Sequence, residues 1–187
     1  MRHLKTTIDP SLKDIYHNSF ERKASRAIVL KGADILLLYT ARYEDYSLPG
    51  GGIDPDEENI CGLIRELKEE TGAQNIRNIR EFGRYDEHRP WYKNDFDSVH
   101  MISYCYYCDI DDERLSPEYE AHEISNGMSP HWVNIHKAIA HNLDIIANSS
   151  KQGQSIIRET YLLQLIAKEN NLTTKEHAIK SQNLLCG

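Results

Sequence analysis

The chain has few of the features that favour a disulfide-stabilised or membrane-spanning protein. Only four of its 187 residues are cysteines, which is too few for a disulfide framework. No apolar run approaches the length that spans a bilayer, and the first residues lack the apolar segment of a signal peptide. We therefore expect a cytoplasmic protein that does not bind membranes.

Positive charge is also scarce. The chain has 22 Lys and Arg residues against 29 Asp and Glu residues, which gives a net charge of −7. A nucleic-acid polymer is not the expected partner, because following a phosphate backbone requires a basic surface. A small anionic substrate remains compatible with this charge, since a bound divalent cation can reverse the local sign.

The sequence has no internal repeat, no low-complexity tract and no Pro/Gly/Ser-rich linker, so a division into independent domains is not expected. Its length suffices to bury a full core. We expect an N-terminal arm or short helix over residues 1–23 and the main domain over 24–150. A C-terminal helix and tail over 151–187 is expected to pack on that same domain.

Cys105 and Cys108 form a CxxC pair inside a β-branched and aromatic run that predicts a strand. Residues three apart on a strand point to opposite faces, so the two thiols would diverge. A redox-active CxxC normally lies at a helix N-terminus, which lowers the thiol pKa. These residues are therefore interpreted as packing cysteines.

Hydrophobic periodicity gives the order of the other elements. Strands are predicted over residues 26–30, 34–39, 76–86, 98–110 and 129–133. Helices are predicted over 57–72, 135–148 and 154–169. This order indicates an α/β protein with an extra C-terminal helix.

The helix over 57–72 follows a loop at residues 48–52, Leu-Pro-Gly-Gly-Gly, whose backbone can approach a ligand closely. Asp54-Pro55-Asp56 offers a helix start, and Gly72 stands where a C-terminal glycine ends a helix. Four aliphatic residues repeat at helical spacing and predict a stripe that faces the core: Ile60, Leu63, Ile64 and Leu67.

Glu66, Glu69 and Glu70 share one broad face of this helix, with Glu70 at the border of the apolar stripe. Glu66 and Glu70 repel each other at i,i+4, and Glu69 and Glu70 lie at the end of the helix dipole that disfavours anions. A divalent cation would relieve both effects. Hard cations such as Mg²⁺ take carboxylate oxygens and leave positions for substrate phosphates. An acidic helix face alone is more often only solvated.

The longer sequence pattern around this helix distinguishes a metal site from a solvated acidic face. Gly51 is followed after five residues by Glu57 and, seven residues later, by Arg-Glu-Leu-Lys-Glu-Glu-Thr-Gly-Ala over 65–73. This segment resembles the Nudix box of the Nudix hydrolase family, with every fixed identity at its spacing. Only Ala73 departs from the usual bulkier aliphatic residue. From average residue usage, a chance match has a probability on the order of one in a million.

The resemblance implies a Nudix-type α/β/α sandwich with a mixed sheet. It implies Mg²⁺, or Mn²⁺, as cofactor, held by Glu66, Glu69 and Glu70 with the carbonyl of Gly50 or Gly51. The expected reaction is attack of water on phosphorus in a diphosphate bond.

Further roles follow from the same resemblance. Arg65 and Glu57 would orient the catalytic helix through charge-assisted hydrogen bonds, and the backbone of Gly50–Gly52 would lie against the diphosphate. The general base in this family is a box glutamate or a glutamate of a later loop. We favour Glu66 or Glu69. The loop candidates are Glu120 and Glu123, with Glu118 in the same segment.

Two other segments are candidates for contacting the rest of the substrate. Residues 84–97 are rich in aromatic side chains, among which Trp91 and Tyr92 are substrate-binding candidates. The same residues would also suit a hairpin loop packed on its own aromatics or a dimer interface. Arg42 is a candidate phosphate ligand, although a lone exposed arginine is more often only solvated. Three histidines lack metal-ligand spacing and are interpreted as surface or capping residues: His131, His136 and His141.

The function expected from the resemblance is hydrolysis of a nucleoside diphosphate linked to another group, or of a nucleoside triphosphate. One alternative is a nucleotide-sensing Nudix-like module that does not cleave its ligand; such modules commonly lose box acids, and this chain retains them. An isoprenoid diphosphate isomerase is the other, and it would need an active-site cysteine that the sequence does not place; Cys61 lies on the box helix itself. Since dimers are frequent in the family, a homodimer is expected on that ground alone.

Overall fold

The computed structural model describes residues 1–14, 17–93 and 95–172, and most of the predicted C-terminal tail, including Cys186, lies outside these ranges. Its strands are β1 (His3–Ile8), β2 (Ser19–Ile28), β3 (Leu30–Lys31), β4 (Asp34–Thr40), β5 (Asp45–Ser47), β6 (Arg77–Pro90), β7 (Ser98–Asp109) and β8 (Met128–Asn134). Its helices are α1 (Asn59–Thr71), α2 (Ala121–Asn126), α3 (Ile135–Asn148) and α4 (Ile156–Glu169). None of these helices is both long and apolar enough to cross a bilayer.

The chain divides into two compact units, of which the first comprises Met1–Val29 and Leu48–Tyr119. Its sheet has the order β1-β6-β7-β2. The central pair β6–β7 is antiparallel, whereas β1 joins β6 and β2 joins β7 in parallel. Helix α1 packs against β2 and buries Leu63 and Leu67. The predicted α/β fold with a mixed sheet is confirmed.

The expectation of a short helix within residues 1–23 is wrong for the described part of this segment. Residues 3–8 form β1, and β2 begins at Ser19, seven residues before the predicted strand. Most side chains of β1 and of the first half of β2 are exposed. Polar composition therefore indicated a helix or an extended arm where sheet pairing produces strands.

Helix α1 begins later than predicted. Its N-cap is Glu58, and Pro55 and Asp56 form a turn instead of the first helical turn. The buried face also lies further round the helix than the aliphatic stripe suggests, since Ile60 is 45% exposed whereas Glu70 is only 4% exposed. The end is as predicted: Gly72 adopts φ 69° and its amide donates to the carbonyl of Lys68.

The CxxC pair lies on β7, as predicted, and both thiols are buried and not joined in a disulfide. Burial raises the pKa of Cys108 to about 12, which keeps this thiol protonated at neutral pH. This environment supports the interpretation of Cys105 and Cys108 as packing cysteines rather than a redox pair. Strand β6 extends to Pro90, four residues beyond the predicted end at 86, so the aromatic-rich segment 84–97 is a strand for half of its length.

The second unit comprises Leu30–Ser47 and the described chain from Glu120 onward. Strand β4 pairs antiparallel with β3, β5 and β8, and α3 and α4 pack on β5 and on each other. The predicted strand over 129–133 and the two C-terminal helices are confirmed. The three histidines each contact a protein oxygen: His131 the Ser129 hydroxyl, His136 the Leu172 carbonyl and His141 the Glu44 carbonyl.

Asp45 is a buried acid of this second unit, and Glu159 of α4 is buried near it. Burial, followed by the charge of Glu159, raises the pKa of Asp45 to about 6. The unfolded chain titrates this acid near pH 4, so the folded state binds the proton more tightly. The stability that the protonated acid contributes is present at pH 4 and is lost as the pH rises through about 6.

The substitution Asp45→Asn is therefore expected to remove this loss of stability at rising pH. Between pH 4 and pH 7, the free energy of unfolding of the variant should rise relative to wild type by about 2 kcal/mol. Urea denaturation across this pH range measures the difference, with Asp34→Asn at an exposed position of β4 as the control. A constant difference between wild type and Asp45→Asn would contradict the assignment.

Candidate active site

The glycine loop, residues 48–52, runs beside β2 and is hydrogen-bonded to it without forming a regular strand. The Ser25 amide donates to the Gly51 carbonyl at 3.1 Å, and the Ala27 amide donates to the Pro49 carbonyl at 2.8 Å. Ala24 and Gly52 form an antiparallel bridge. These hydrogen bonds satisfy backbone polar groups of the loop and hold the loop against β2.

Arg65 joins the loop to the acids of α1. Its Nε and Nη2 donate to the two carboxylate oxygens of Glu57 at 3.0 and 2.9 Å, and Nη2 also donates to the Gly52 carbonyl at 2.9 Å. Its Nη1 donates to Glu66 at 2.8 Å and to Glu69 at 3.3 Å. A planar guanidinium with this set of acceptors fixes the position of Glu66 and Glu69 relative to the loop.

These contacts alter the protonation equilibria. Hydrogen bonds from Arg65 lower the pKa of Glu57, and the hydrogen bond to Glu57 raises the pKa of Arg65 above its usual value. For Glu66, burial raises the pKa, although hydrogen bonding and charge from Arg65 oppose the shift. Burial therefore disfavours the charged form of Glu66, and an added cation would stabilise it.

Glu70 fixes the loop from the buried side. Its Oε2 accepts a hydrogen bond from the Gly50 amide at 2.5 Å, and Gly50 has φ 131°. On the other side of the same residue, Arg26 donates to the Gly50 carbonyl. The box carboxylates therefore differ in exposure: Glu70 is buried against the loop, whereas Glu69 remains 40% exposed.

The donor atoms suit a hard divalent cation, which takes carboxylate and carbonyl oxygens. The Glu66 carboxylate occupies the space that a side chain at position 51 would need, since a Cβ there would lie 2.5 Å from its Oε2. Arg65 contacts only one oxygen of Glu66 and one of Glu69. In residues 1–14, 17–93 and 95–172, no three His, Cys, Asp or Glu side chains already converge as a metal site. The donors fit a cation by type, and Arg65 does not contact the second carboxylate oxygen of Glu66 or of Glu69.

A segment after β7 covers the C-terminal end of α1. The Leu115 amide donates to the Gly72 carbonyl at 2.8 Å, and the Glu118 amide donates to the Glu69 carbonyl at 2.7 Å. Arg65, Glu69 and Glu118 line a cleft of about 290 Å³ here. Glu118 therefore lies close to Glu69, although its position in the sequence alone did not predict this.

Three residues predicted from the sequence as site candidates belong to the second unit. Arg42 donates to the Asn126 side chain at 3.2 Å and lies over the Tyr43 ring. The expectation that Glu120 and Glu123 lie in an open loop is wrong in part. Glu120 is the N-cap of α2, and its amide donates to the buried carboxylate of Glu123 at 2.7 Å, completing a capping box.

Trp91 and Tyr92 lie beyond the end of β6. The Trp91 ring packs edge-on against Phe20 at 4.8 Å and contacts Tyr92 at 4.3 Å, and its Nε1 donates to Asp95 at 3.0 Å. The predicted alternative of a loop packed on its own aromatics accounts for Trp91. Tyr92 is 70% exposed.

Sequence reasoning missed the residues that β2 contributes. Arg22 and Arg26 lie on the same face of this strand, beside Gly52 and Gly50 respectively. No signal in the sequence pointed to them, because residues 19–26, Ser-Phe-Glu-Arg-Lys-Ala-Ser-Arg, show no alternation of apolar and polar side chains.

Comparison with known proteins gives a family and several structures that this chain resembles. The family model of the NUDIX domain matches residues 21–152. Among solved structures, a NUDIX hydrolase from Nitrosomonas europaea has a TM-score of 0.55 at 16% identity, covering 80% of this chain and 91% of that chain. A MutT NUDIX hydrolase from Burkholderia pseudomallei has a TM-score of 0.46 at 21% identity, covering 63% and 85%. The Bacillus subtilis pyrophosphohydrolase BsRppH has a TM-score of 0.45 at 23% identity, covering 67% of each chain.

Proposed function

We infer, because this chain belongs to the Nudix family, that it is a divalent-metal-dependent hydrolase of a diphosphate bond. The proposed substrate is a nucleoside diphosphate linked to another group, or a nucleoside triphosphate. The observation that carries the proposal is the position of the box acids: Arg65 binds Glu57, Glu66 and Glu69 while it also binds the Gly52 carbonyl. This arrangement holds carboxylates directly beside a loop whose glycines leave room for a phosphate chain.

Each residue has a proposed role. The backbone of Gly50–Gly52 orients the diphosphate, and Arg65 with Glu57 holds the helix against that loop. Glu66, Glu69 and Glu70, with a carbonyl of Gly50 or Gly51, would hold Mg²⁺ or Mn²⁺, which supplies charge neutralisation on the phosphates and a lowered pKa of the attacking water. The water oxygen forms a bond to phosphorus, the bridging P–O bond breaks, and the bridging oxygen leaves with the departing phosphate.

The proton of the attacking water needs an acceptor near the loop. Glu66 is the proposed base because its carboxylate lies beside Gly51 and burial raises its pKa. Glu69 is the second candidate. Glu118 lines the cleft that also contains Glu69 and is a better-supported loop candidate than Glu120 or Glu123, which cap α2.

A panel of potential substrates tests the proposal. Nucleoside triphosphates, ADP-ribose, sugar nucleotides, dinucleoside polyphosphates and NADH are incubated with the full chain and Mg²⁺ or Mn²⁺, and nucleotide and phosphate products are separated by chromatography. The proposal predicts turnover of one class that stops when EDTA is added. An absence of turnover across the panel, with both metals, would overturn it.

A nucleotide-sensing module is the second candidate function. One observation favours this function: Arg65 already forms ion pairs with Glu66 and Glu69. The same panel separates the two, because a sensor binds a nucleotide without releasing product.

A further inference from the structure

A groove of about 760 Å³ lies beside the box, between β2 and the segment that precedes α1. It is lined by residues 20–23 on one side and 53–59 on the other, which places Glu57 of the box in its wall. We propose that this β2 groove binds the nucleoside of the substrate, with Arg22 as a phosphate ligand and Phe20 as the ring contact. The inference rests on the proposed function and adds the site for the group attached to the diphosphate.

The register of β2 places Arg22 at the glycine loop. Ala24 bridges Gly52, and paired residues present their side-chain positions on the same face of the sheet. Arg22, two residues before Ala24, lies on that face as well. Its Nη2 lies 3.3 Å from the point that a Cβ on Gly52 would occupy. The absence of a side chain at position 52 therefore leaves the guanidinium next to the backbone proposed to orient the diphosphate.

Arg22 differs from its neighbouring arginines in having no protein partner among the described residues. Arg26 donates to the Gly50 carbonyl, and Arg65 is fully engaged with acids and the Gly52 carbonyl. An exposed guanidinium beside a glycine loop can bind a phosphate with two parallel hydrogen bonds. Arg22 is thus the cation of this unit best available to the substrate.

The outer groove suits an uncharged ring system better than another phosphate. Phe20, Ile53 and Pro55 supply apolar lining, and the Phe20 ring is supported by Trp91 at 4.8 Å and by Phe96 at 4.7 Å. The remaining wall is mainly acidic, with four exposed carboxylates: Glu21, Asp54, Asp56 and Glu58. Its one lysine, Lys23, pairs with Glu21 at 3.6 Å. Carboxylates accept hydrogen bonds from ribose hydroxyls or base amino groups and repel phosphates. The combination matches a nucleoside whose phosphate end points to Arg22.

Calorimetric binding of two probes, ADP and inorganic pyrophosphate, in the presence of Mg²⁺ tests the assignment. Arg22→Gln is expected to weaken both by about tenfold or more, because it removes a charge-assisted contact to phosphate. Phe20→Leu is expected to weaken ADP by about fivefold and to leave pyrophosphate unchanged, since only ADP has a ring. Arg77→Gln, which removes the same charge from an exposed position of β6, is expected to affect neither.

Equal binding of both probes by wild type and Arg22→Gln, or no ADP binding by wild type, would overturn the inference. If Phe20→Leu lost binding of both ADP and pyrophosphate, the groove would not be divided into a part that binds the ring and a part that binds phosphate. Failure of the proposed function has a different signature. In that case ADP binding would still depend on Arg22, while no compound in the panel would be turned over.

Discussion

Replacing Glu66 by glutamine is expected to lower kcat for the panel substrate by roughly 100- to 1,000-fold while the protein remains folded. Glu66 is the proposed base, and its carboxylate both contacts Arg65 and occupies the space beside Gly51. Glutamine keeps the shape of the side chain but loses the charge and the ability to accept a proton. Because burial raises the pKa of Glu66, removal of the charge should not weaken folding.

Steady-state kinetics and thermal unfolding of the same preparation measure both parts of this result. Glu113→Gln is the matched control, since this glutamate is exposed and lies in the same unit. It is expected to have wild-type kcat and the same Tm. An active Glu66→Gln protein, within about threefold of wild type, would rule out Glu66 as the base and as a metal ligand.

The second large effect concerns the backbone of the loop. Gly50→Ala is expected to lower the free energy of unfolding by about 3 kcal/mol or more and to abolish turnover. Gly50 has φ 131°, which disfavours L side chains, and an added Cβ would lie 2.0 Å from the Ser25 carbonyl oxygen. The loop would have to leave β2, and the Gly50 amide would then lose Glu70.

Gly32→Ala isolates the contribution of the steric clash. Gly32 also has positive φ, at 64°, but no atom lies within 4 Å of the added Cβ. This variant is expected to lose only about 1 kcal/mol, through backbone strain alone. Chemical denaturation compares the two variants with wild type. If Gly50→Ala were no less stable than Gly32→Ala, the close approach of the loop to β2 would not hold in solution.

Local signals in the sequence were sufficient for much of the fold and for the central helix. The box spacing and Gly72 predicted α1 and its end, because capping depends on a single residue with positive φ. Helix α3 has the predicted bounds, since an Asn134 side chain caps its N-terminus and an apolar stripe follows. Both features are encoded within a few neighbouring residues.

Pairing between distant residues was not readable in the same way. Strand β1 has an exposed, polar sequence and is a strand because it pairs with β6, about 80 residues away. Glu123 was a candidate loop base, yet its carboxylate accepts a hydrogen bond from the Glu120 amide in the capping box of α2. The placement of Arg22 at the loop likewise depends on the Ala24–Gly52 bridge. No local pattern specifies such tertiary partners.

The most direct test of the central claim is hydrolysis of the panel substrate in oxygen-18 water with Mg²⁺, followed by mass spectrometry of the products. Attack of water on phosphorus predicts that one phosphorylated product carries a single oxygen-18 atom and that the product is absent when EDTA is present. Product formation without label, or unchanged product formation in EDTA, would contradict metal-dependent hydrolysis at the diphosphate.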